Sequence, residues 1–193
     1  MKRICVFSGS SPGVLPAYRD AARALGVLLA REGIGLVYGG ASVGLMGAVA
    51  DAALQAGGEV IGVIPQALVH REVAHTGLKD LRVVRSMHER KALMAELSDA
   101  FIALPGGIGT FEELFEVWTW TQLGAHAKPC GLLNTCGFYG QLLAFLEHVV
   151  AQGFLKPQEH RLLASADTPE ALLALLAQAE TPVLAQWISD AQR

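Results

Sequence analysis

The sequence predicts an α/β fold: a Rossmann-like, doubly wound, mostly parallel sheet with helices on both faces, in three α/β/α layers. Two observations carry this. Short apolar runs of strand length alternate with longer runs of helical periodicity, the pattern of successive βαβ units. Three glycine-rich turns each follow one of the short apolar runs: Gly9-Ser10-Ser11-Pro12-Gly13, Gly39-Gly40-Ala41-Ser42-Val43-Gly44-Leu45-Met46-Gly47 and Pro105-Gly106-Gly107-Ile108-Gly109-Thr110. In a doubly wound sheet such turns gather at the carboxyl edge of the strands, where ligands bind. Residues 1–193 are expected to form a single Rossmann-like domain with a C-terminal helical extension.

The elements follow in order. Arg3 to Ser8 predicts the first strand. Tyr18 to Glu32 predicts a helix, apolar at Ala22, Leu25, Leu28 and Leu29 and stopped by Gly33. Gly35 to Tyr38 is the second strand, and the glycine-rich turn after it opens a helix that runs to Ala56 and ends at Gly57-Gly58. Val60 to Ile64 is the third strand, stopped by Pro65. Gln66 to Asp80 lacks periodicity and carries His70, Arg71, Glu72 and His75; a long functional loop with a short helical turn is expected. Leu81 to Val84 is strand four, Met87 to Ser98 a helix, and Ala100 to Leu104 a buried strand leading into Pro105. Phe111 to Leu123 is the next helix, Pro129 to Leu133 strand six, and Phe138 to Gln152 a helix ended by Gly153. Leu162 to Ala164 is a last short strand. Thr168-Pro169-Glu170 starts a helix with an N-cap and an N1 proline, and Pro182 to Ala191 forms a final one.

Composition narrows the function classes. The chain has 193 residues, 52% hydrophobic and 17% charged, which supports a sizeable core and excludes a disordered chain. A net charge of −3 advertises no surface for nucleic acid or an anionic membrane. Cys5, Cys130 and Cys136 are odd in number and lack C-x-x-C spacing, which points to a reducing, cytoplasmic setting. The apolar run after Met1-Lys2-Arg3 breaks at Ser8-Gly9-Ser10-Ser11, too early for a signal-peptide core. No stretch reaches the ~20 apolar residues of a membrane span.

The chemistry gathers at the third turn. Strand, glycines and helix start make an anion site, because the first N–H groups of a helix have no partner inside it. A structural alternative uses the same residues: Thr110-x-x-Glu113 is a capping box, with Thr110 capping the helix and Glu113 reaching back. Upstream, Met87-His88-Glu89-Arg90-Lys91 opens another helix. Arg90 and Lys91 either form a solvated face or meet a phosphate or purine held at the same sheet edge. Gly9-Ser10-Ser11 and the Gly39–Gly47 turn either line a nucleotide pocket or serve tight turns and close helix packing. Walker and G-x-S-x-G patterns are absent, and His70 and His75 lack metal-ligand spacing, so neither a metal nor a cofactor is expected. Trp118 and Trp120 cannot share a helix face, so at least one packs in a core or interface. The Thr119 hydroxyl between them reaches a ligand or bonds an i−4 carbonyl.

Taken together the motifs resemble the LONELY GUY family, cytokinin riboside 5′-monophosphate phosphoribohydrolases often mislabelled lysine decarboxylases. Pro105-Gly106-Gly107-x-Gly109-Thr110-x-x-Glu113 is similar to its P-G-G-x-G-T-x-x-E signature. Met87-His88-x-Arg90-Lys91 is similar to its second motif. Ser8-Gly9-Ser10-Ser11 and Tyr38-Gly39-Gly40-x-x-x-Gly44-Leu45-Met46-Gly47 also match, and the resemblance covers about residues 2 to 180. It implies hydrolysis of the N-glycosidic bond of an N6-modified AMP to free base and ribose 5-phosphate, with plain AMP, and hence an AMP nucleosidase, as the open alternative. It implies Arg90 and Glu113 as the catalytic pair and Gly107 to Thr110 as the phosphate cradle, with Glu72, Lys91 and Thr119 as further contacts. The nucleotide site so expected comprises Gly9, Ser10, Gly39, Gly40, Gly44, Met46, Gly106, Ile108, Phe111 and Glu112 as well. The family also implies a homodimer or larger homo-oligomer with sites near the subunit interface. The competing expectation is a carrier of nucleotide or molybdenum cofactor without turnover. A third, lysine decarboxylation, normally needs pyridoxal phosphate on a lysine, and none of Lys2, Lys79, Lys91, Lys128 and Lys156 follows a recognisable cofactor motif.

Overall fold

The computed structural model describes residues 1–69 and 74–179. Seven strands form one sheet: β1 (Arg3–Phe7), β2 (Gly35–Tyr38), β3 (Val60–Pro65), β4 (Asp80–Val84), β5 (Ala100–Ala103), β6 (Cys130–Leu133) and β7 (Leu163–Ala166). Their spatial order is β4-β3-β2-β1-β5-β6-β7, and every pairing is parallel. The chain winds outward from β1 in one direction and resumes from β5 in the other. The topological switch point therefore falls between β1 and β5.

The helices are α1 (Pro16–Arg31), α2 (Gly44–Gln55), α3 (Met87–Glu96), α4 (Ile108–Gln122), α5 (Gly140–Ala151), α6 (Pro157–His160) and α7 (Pro169–Gln178). Central strands of a parallel sheet are covered on both faces and so are apolar throughout. β2, β3, β5 and β6 are buried along their whole length. Successive side chains of β1 feed opposite cores. Ile4 and Val6 pack with α1, α2 and α7, whereas Cys5 and Phe7 pack with α3, α4 and α5. No helix of the described residues is long and apolar enough to cross a membrane.

Several boundaries shift. α1 starts earlier, at Pro16, because proline suits the first helical position. β7 runs Leu163–Ala166, since its register with β6 continues to Leu133↔Ala166. Among the described residues of the loop after β3, Gln66–Leu68 forms a 3₁₀ turn. Thr168 caps α7, its hydroxyl accepting the Ala171 N–H at 3.3 Å. α6 was not expected; one turn is too short to show periodicity. Its Glu159 carbonyl accepts the indole N–H of buried Trp118 at 3.2 Å. The helix expected over Pro182–Ala191 lies outside the described residues.

Candidate active site

Gly107, not Thr110, is the N-cap of α4, and no side chain caps the helix. The first return bond runs from the Phe111 N–H to the Gly107 carbonyl at 3.2 Å. Thr110 is thus the third residue of the helix, and the predicted capping box does not form. The N–H groups of Ile108, Gly109 and Thr110 point out of the helix start with its partial positive charge behind them. Thr110 is buried, and its hydroxyl lies where any Cβ on Gly106 would be, so a glycine is required there. A Cβ on Gly107 or Gly109 would meet nothing within 4 Å. These two glycines keep space open rather than let protein atoms approach.

Glu113, released from a capping role, meets α3. Its Oε1 lies 3.2 Å from Arg90 Nη1, and the two side chains are only 10% and 8% exposed. Arg90 Nε donates to the Val63 carbonyl at the end of β3, at 3.2 Å. Its Nη2 rests against Gly39, at a spot a side chain there would occupy. A solvated face for Arg90 and Lys91 is therefore excluded. The cations are tolerated at the start of α3 because the Ser86 hydroxyl accepts the Glu89 N–H at 3.1 Å and Glu89 places an acid in the first turn.

Lys91 faces a different pair of carboxylates. Its Nζ lies 2.5 Å from Glu112 Oε1 and 3.0 Å from Glu116, so it braces α3 against α4. Burial alone would lower the Lys91 pKa; the hydrogen bonds and charges of Glu112 and Glu116 outweigh it and the pKa is raised.

A chamber of about 240 Å³ opens between these elements. Its walls are Ser8, Gly9, Ser10, Met46, Arg90, Gly107 to Thr110 and Glu113. A second chamber of about 230 Å³ adjoins it, walled by Tyr18, Leu45, Phe138, Pro12 and Pro105 and sharing Gly9, Ser10 and Gly107. The bond from the Gly9 N–H to the Pro105 carbonyl, 3.2 Å, ties together the two loops that flank the switch point. A larger groove of about 610 Å³ lies along α1 and α2, but its Arg19 and Arg23 are exposed. Among these three spaces of the described residues, buried charge and open helix N–H groups coincide in the first chamber, which is therefore the candidate site.

Other expected residues fall outside that chamber. Gly40 and Gly44 have positive φ (76° and 60°) and shape the turn behind it; the Gly44 backbone packs on Ser10. Phe111 stacks edge-on against Tyr139 at 6.0 Å. Glu112 serves Lys91, Thr119 is exposed on α4, and Glu72 lies outside the described residues. The sequence reading missed Ser8 and Val63. Ser8 lines the chamber and its buried hydroxyl has no hydrogen-bond partner among the described residues; its place at the head of Ser8-Gly9-Ser10-Ser11 was the available signal. Val63 contributes only a carbonyl, which leaves no mark on sequence. Among the described residues no group of three His, Cys, Asp or Glu side chains could hold a metal ion.

Comparison with known proteins agrees with this geometry. A family model described as "Possible lysine decarboxylase" matches residues 46–176. A cytokinin riboside 5′-monophosphate phosphoribohydrolase of Arabidopsis thaliana is 51% identical over 179 residues, covering 93% of this chain and 82% of that protein. One of Oryza sativa subsp. japonica is 52% identical over 175 residues, covering 91% and 72%. This chain belongs to the cytokinin riboside 5′-monophosphate phosphoribohydrolase family. The phosphoribohydrolase fold extends to solved structures with other names. The molybdenum cofactor binding protein of Rippkaea orientalis superposes with a TM-score of 0.69 at 27% identity, covering 91% of this chain and 94% of that one. The molybdenum cofactor carrier protein of Chlamydomonas reinhardtii, at 23% identity and TM-score 0.68, covers 91% and 96% and shares the fold.

Proposed function

We propose that this phosphoribohydrolase cleaves the N-glycosidic bond of N6-modified adenosine 5′-monophosphate, giving free base and ribose 5-phosphate, with Arg90 and Glu113 as its catalytic pair. The observation that carries this is the buried Arg90–Glu113 pair, set across one small chamber from an uncapped helix start. The 5′-phosphate lies on the N–H groups of Ile108, Gly109 and Thr110. The ribose then sits toward Glu113. As the C1′–N9 bond breaks, its electron pair leaves with the purine and positive charge grows on the sugar, as in glycoside hydrolysis. Glu113 stabilises that charge and orients the water whose oxygen bonds to C1′. Water supplies the proton for the departing base, because an arginine side chain does not give up its proton and is a poor acid. Arg90 holds the Glu113 carboxylate by ion pairing and stabilises negative charge as it develops on the base or phosphate.

Lysine decarboxylation does not fit, since no lysine lines the chamber and Lys91 is held by Glu112 and Glu116. A second reading, a molybdenum-cofactor carrier, is favoured by the 27% identity to a molybdenum cofactor binding protein. The same helix start would cradle a pterin phosphate. The assembly is a homodimer or larger homo-oligomer, and the setting is the cytoplasm.

Chromatography of products from AMP, N6-isopentenyl-AMP, the matching nucleoside and GMP tests the reaction. The expected result is free base from the adenine monophosphates and none from the nucleoside. Base release from none of them, by folded protein, would retire the hydrolase reading in favour of the carrier. Glu113→Gln is expected to lower kcat by at least ~100-fold with the fold intact; full activity in that variant would remove Glu113 from the mechanism.

A further inference from the structure

Outside the chamber, a second set of polar contacts converges on the loop between β3 and β4. His75 there is only 8% exposed. Its backbone N–H donates to the Gly40 carbonyl at 2.9 Å. Its Nδ1 accepts the Gly77 N–H at 3.2 Å. Its Nε2 lies 2.9 Å from Asp51 Oδ1 on α2. A ring nitrogen that accepts a backbone N–H carries no proton of its own. The imidazole proton therefore sits on Nε2 and is donated to Asp51. Ala74, beside His75, forms an antiparallel bridge with Ala41. The imidazole thus ties the loop to α2, while the backbone of Ala74 and His75 ties it to the turn that follows β2.

That turn is what the Arg90 guanidinium rests on. Gly39 touches Arg90 Nη2, and Gly40 packs against Val63 N and Ile64. The Val63 carbonyl in turn accepts from Arg90 Nε. Gly39, Gly40 and Val63 make one wall against the guanidinium; the His75 backbone N–H holds the Gly40 carbonyl, and the His75–Asp51 bond anchors the loop that supplies that N–H. We propose that His75, through its hydrogen bond to Asp51, is a positioning residue for Arg90. The inference rests on the hydrolase reading above. Neither His75 nor Asp51 lines the chamber, so neither touches substrate. Their part is to fix the Gly39–Gly40 turn, and with it the orientation Arg90 presents to Glu113.

A merely local role, stiffening the turn through Gly77, uses the same histidine, and two substitutions separate the readings. Asparagine places an amide oxygen where Nδ1 stands, keeping the Gly77 bond and losing Asp51. Glutamine places an amide N–H near Nε2, keeping Asp51 and losing Gly77. Steady-state kinetics on the full chain with N6-isopentenyl-AMP reads the difference. His75→Asn and Asp51→Ala are expected to lower kcat by about 10- to 100-fold, the scale of a slight misplacement of a catalytic group, with KM within about threefold. His75→Gln is expected to stay within about threefold of the parent. The double variant His75→Asn/Asp51→Ala should be no worse than either single one, as for partners in one contact. The inference is overturned if His75→Asn keeps full kcat, or if His75→Gln loses as much as His75→Asn. Should His75→Asn fail to fold by urea denaturation, Asp51→Ala decides alone, because the Asp51 side chain is 55% exposed and its loss leaves no cavity. Absence of turnover in the parent protein would instead refute the reaction itself and this inference with it.

Discussion

Gly39→Ala is the sharpest test of the site as built. Gly39 does not have a positive φ, so alanine brings no backbone strain; only the added methyl acts. That methyl would fall on Arg90 Nη2 and lie 3.2 Å from Met46 Sδ. Carbon and nitrogen need roughly 3.5 Å, so the guanidinium must retreat by about 1 Å or more. Arg90 Nη1 and Glu113 Oε1, now 3.2 Å apart, would then pass out of hydrogen-bond range. At that separation and an effective dielectric of ~20 their attraction is about 5 kcal/mol, most of it offset by desolvation. Weakening the pair and overpacking the wall together cost about 2–3 kcal/mol, which lowers Tm by roughly 5–10 °C in a chain of this size. A catalytic group displaced by ~1 Å costs about 100-fold in rate. Thermal unfolding by circular dichroism and initial rates with N6-isopentenyl-AMP measure both. A Gly39→Ala protein with parental Tm and parental kcat would show that Arg90 does not lean on this turn, and the positioning argument would fall with it.

Two further outcomes follow from the same geometry. Gly109→Ala puts a methyl into open space inside a helix, so it should stabilise the unliganded protein by up to about 1 kcal/mol while raising KM for the monophosphate; a lower Tm or an unchanged KM would contradict an N–H cradle at this helix start. The raised Lys91 pKa means that its contribution to stability is fully present below the unfolded value of about 10.4 and is lost as pH rises through the higher folded value. Urea midpoints of the parent and Lys91→Met should therefore differ by a constant amount from pH 7 to about pH 10 and converge above it. A gap that persists unchanged at pH 12 would rule out the brace as the cause.

What the sequence displayed, it displayed through periodicity. The apolar runs of the central strands were legible because both faces of a parallel sheet are covered there, and the glycine-rich turns fell where a doubly wound sheet must put them. The failures are of another kind. Thr110-x-x-Glu113 satisfies every local condition for a capping box, yet Glu113 is taken by Arg90, twenty-three positions upstream on another helix. A local pattern cannot report a competing partner of that range. His75 showed no ligand spacing because its partner, Asp51, lies on α2 across an intervening strand. The groups holding Arg90, a Val63 carbonyl and the backbone of Gly39, are atoms every residue owns or, at glycine, a side chain that is missing.

The open helix start has a consequence for how such proteins diverge. Its donors are peptide groups, and no codon change removes a peptide N–H short of proline. Phosphate recognition is thereby insulated from ordinary drift in side chains. The neighbouring chamber is the opposite case, since Tyr18, Leu45 and Phe138 are each one substitution away from a different shape. With the phosphate seated as proposed, a lineage built this way keeps its grip on the phosphate while freely revising what hangs from it.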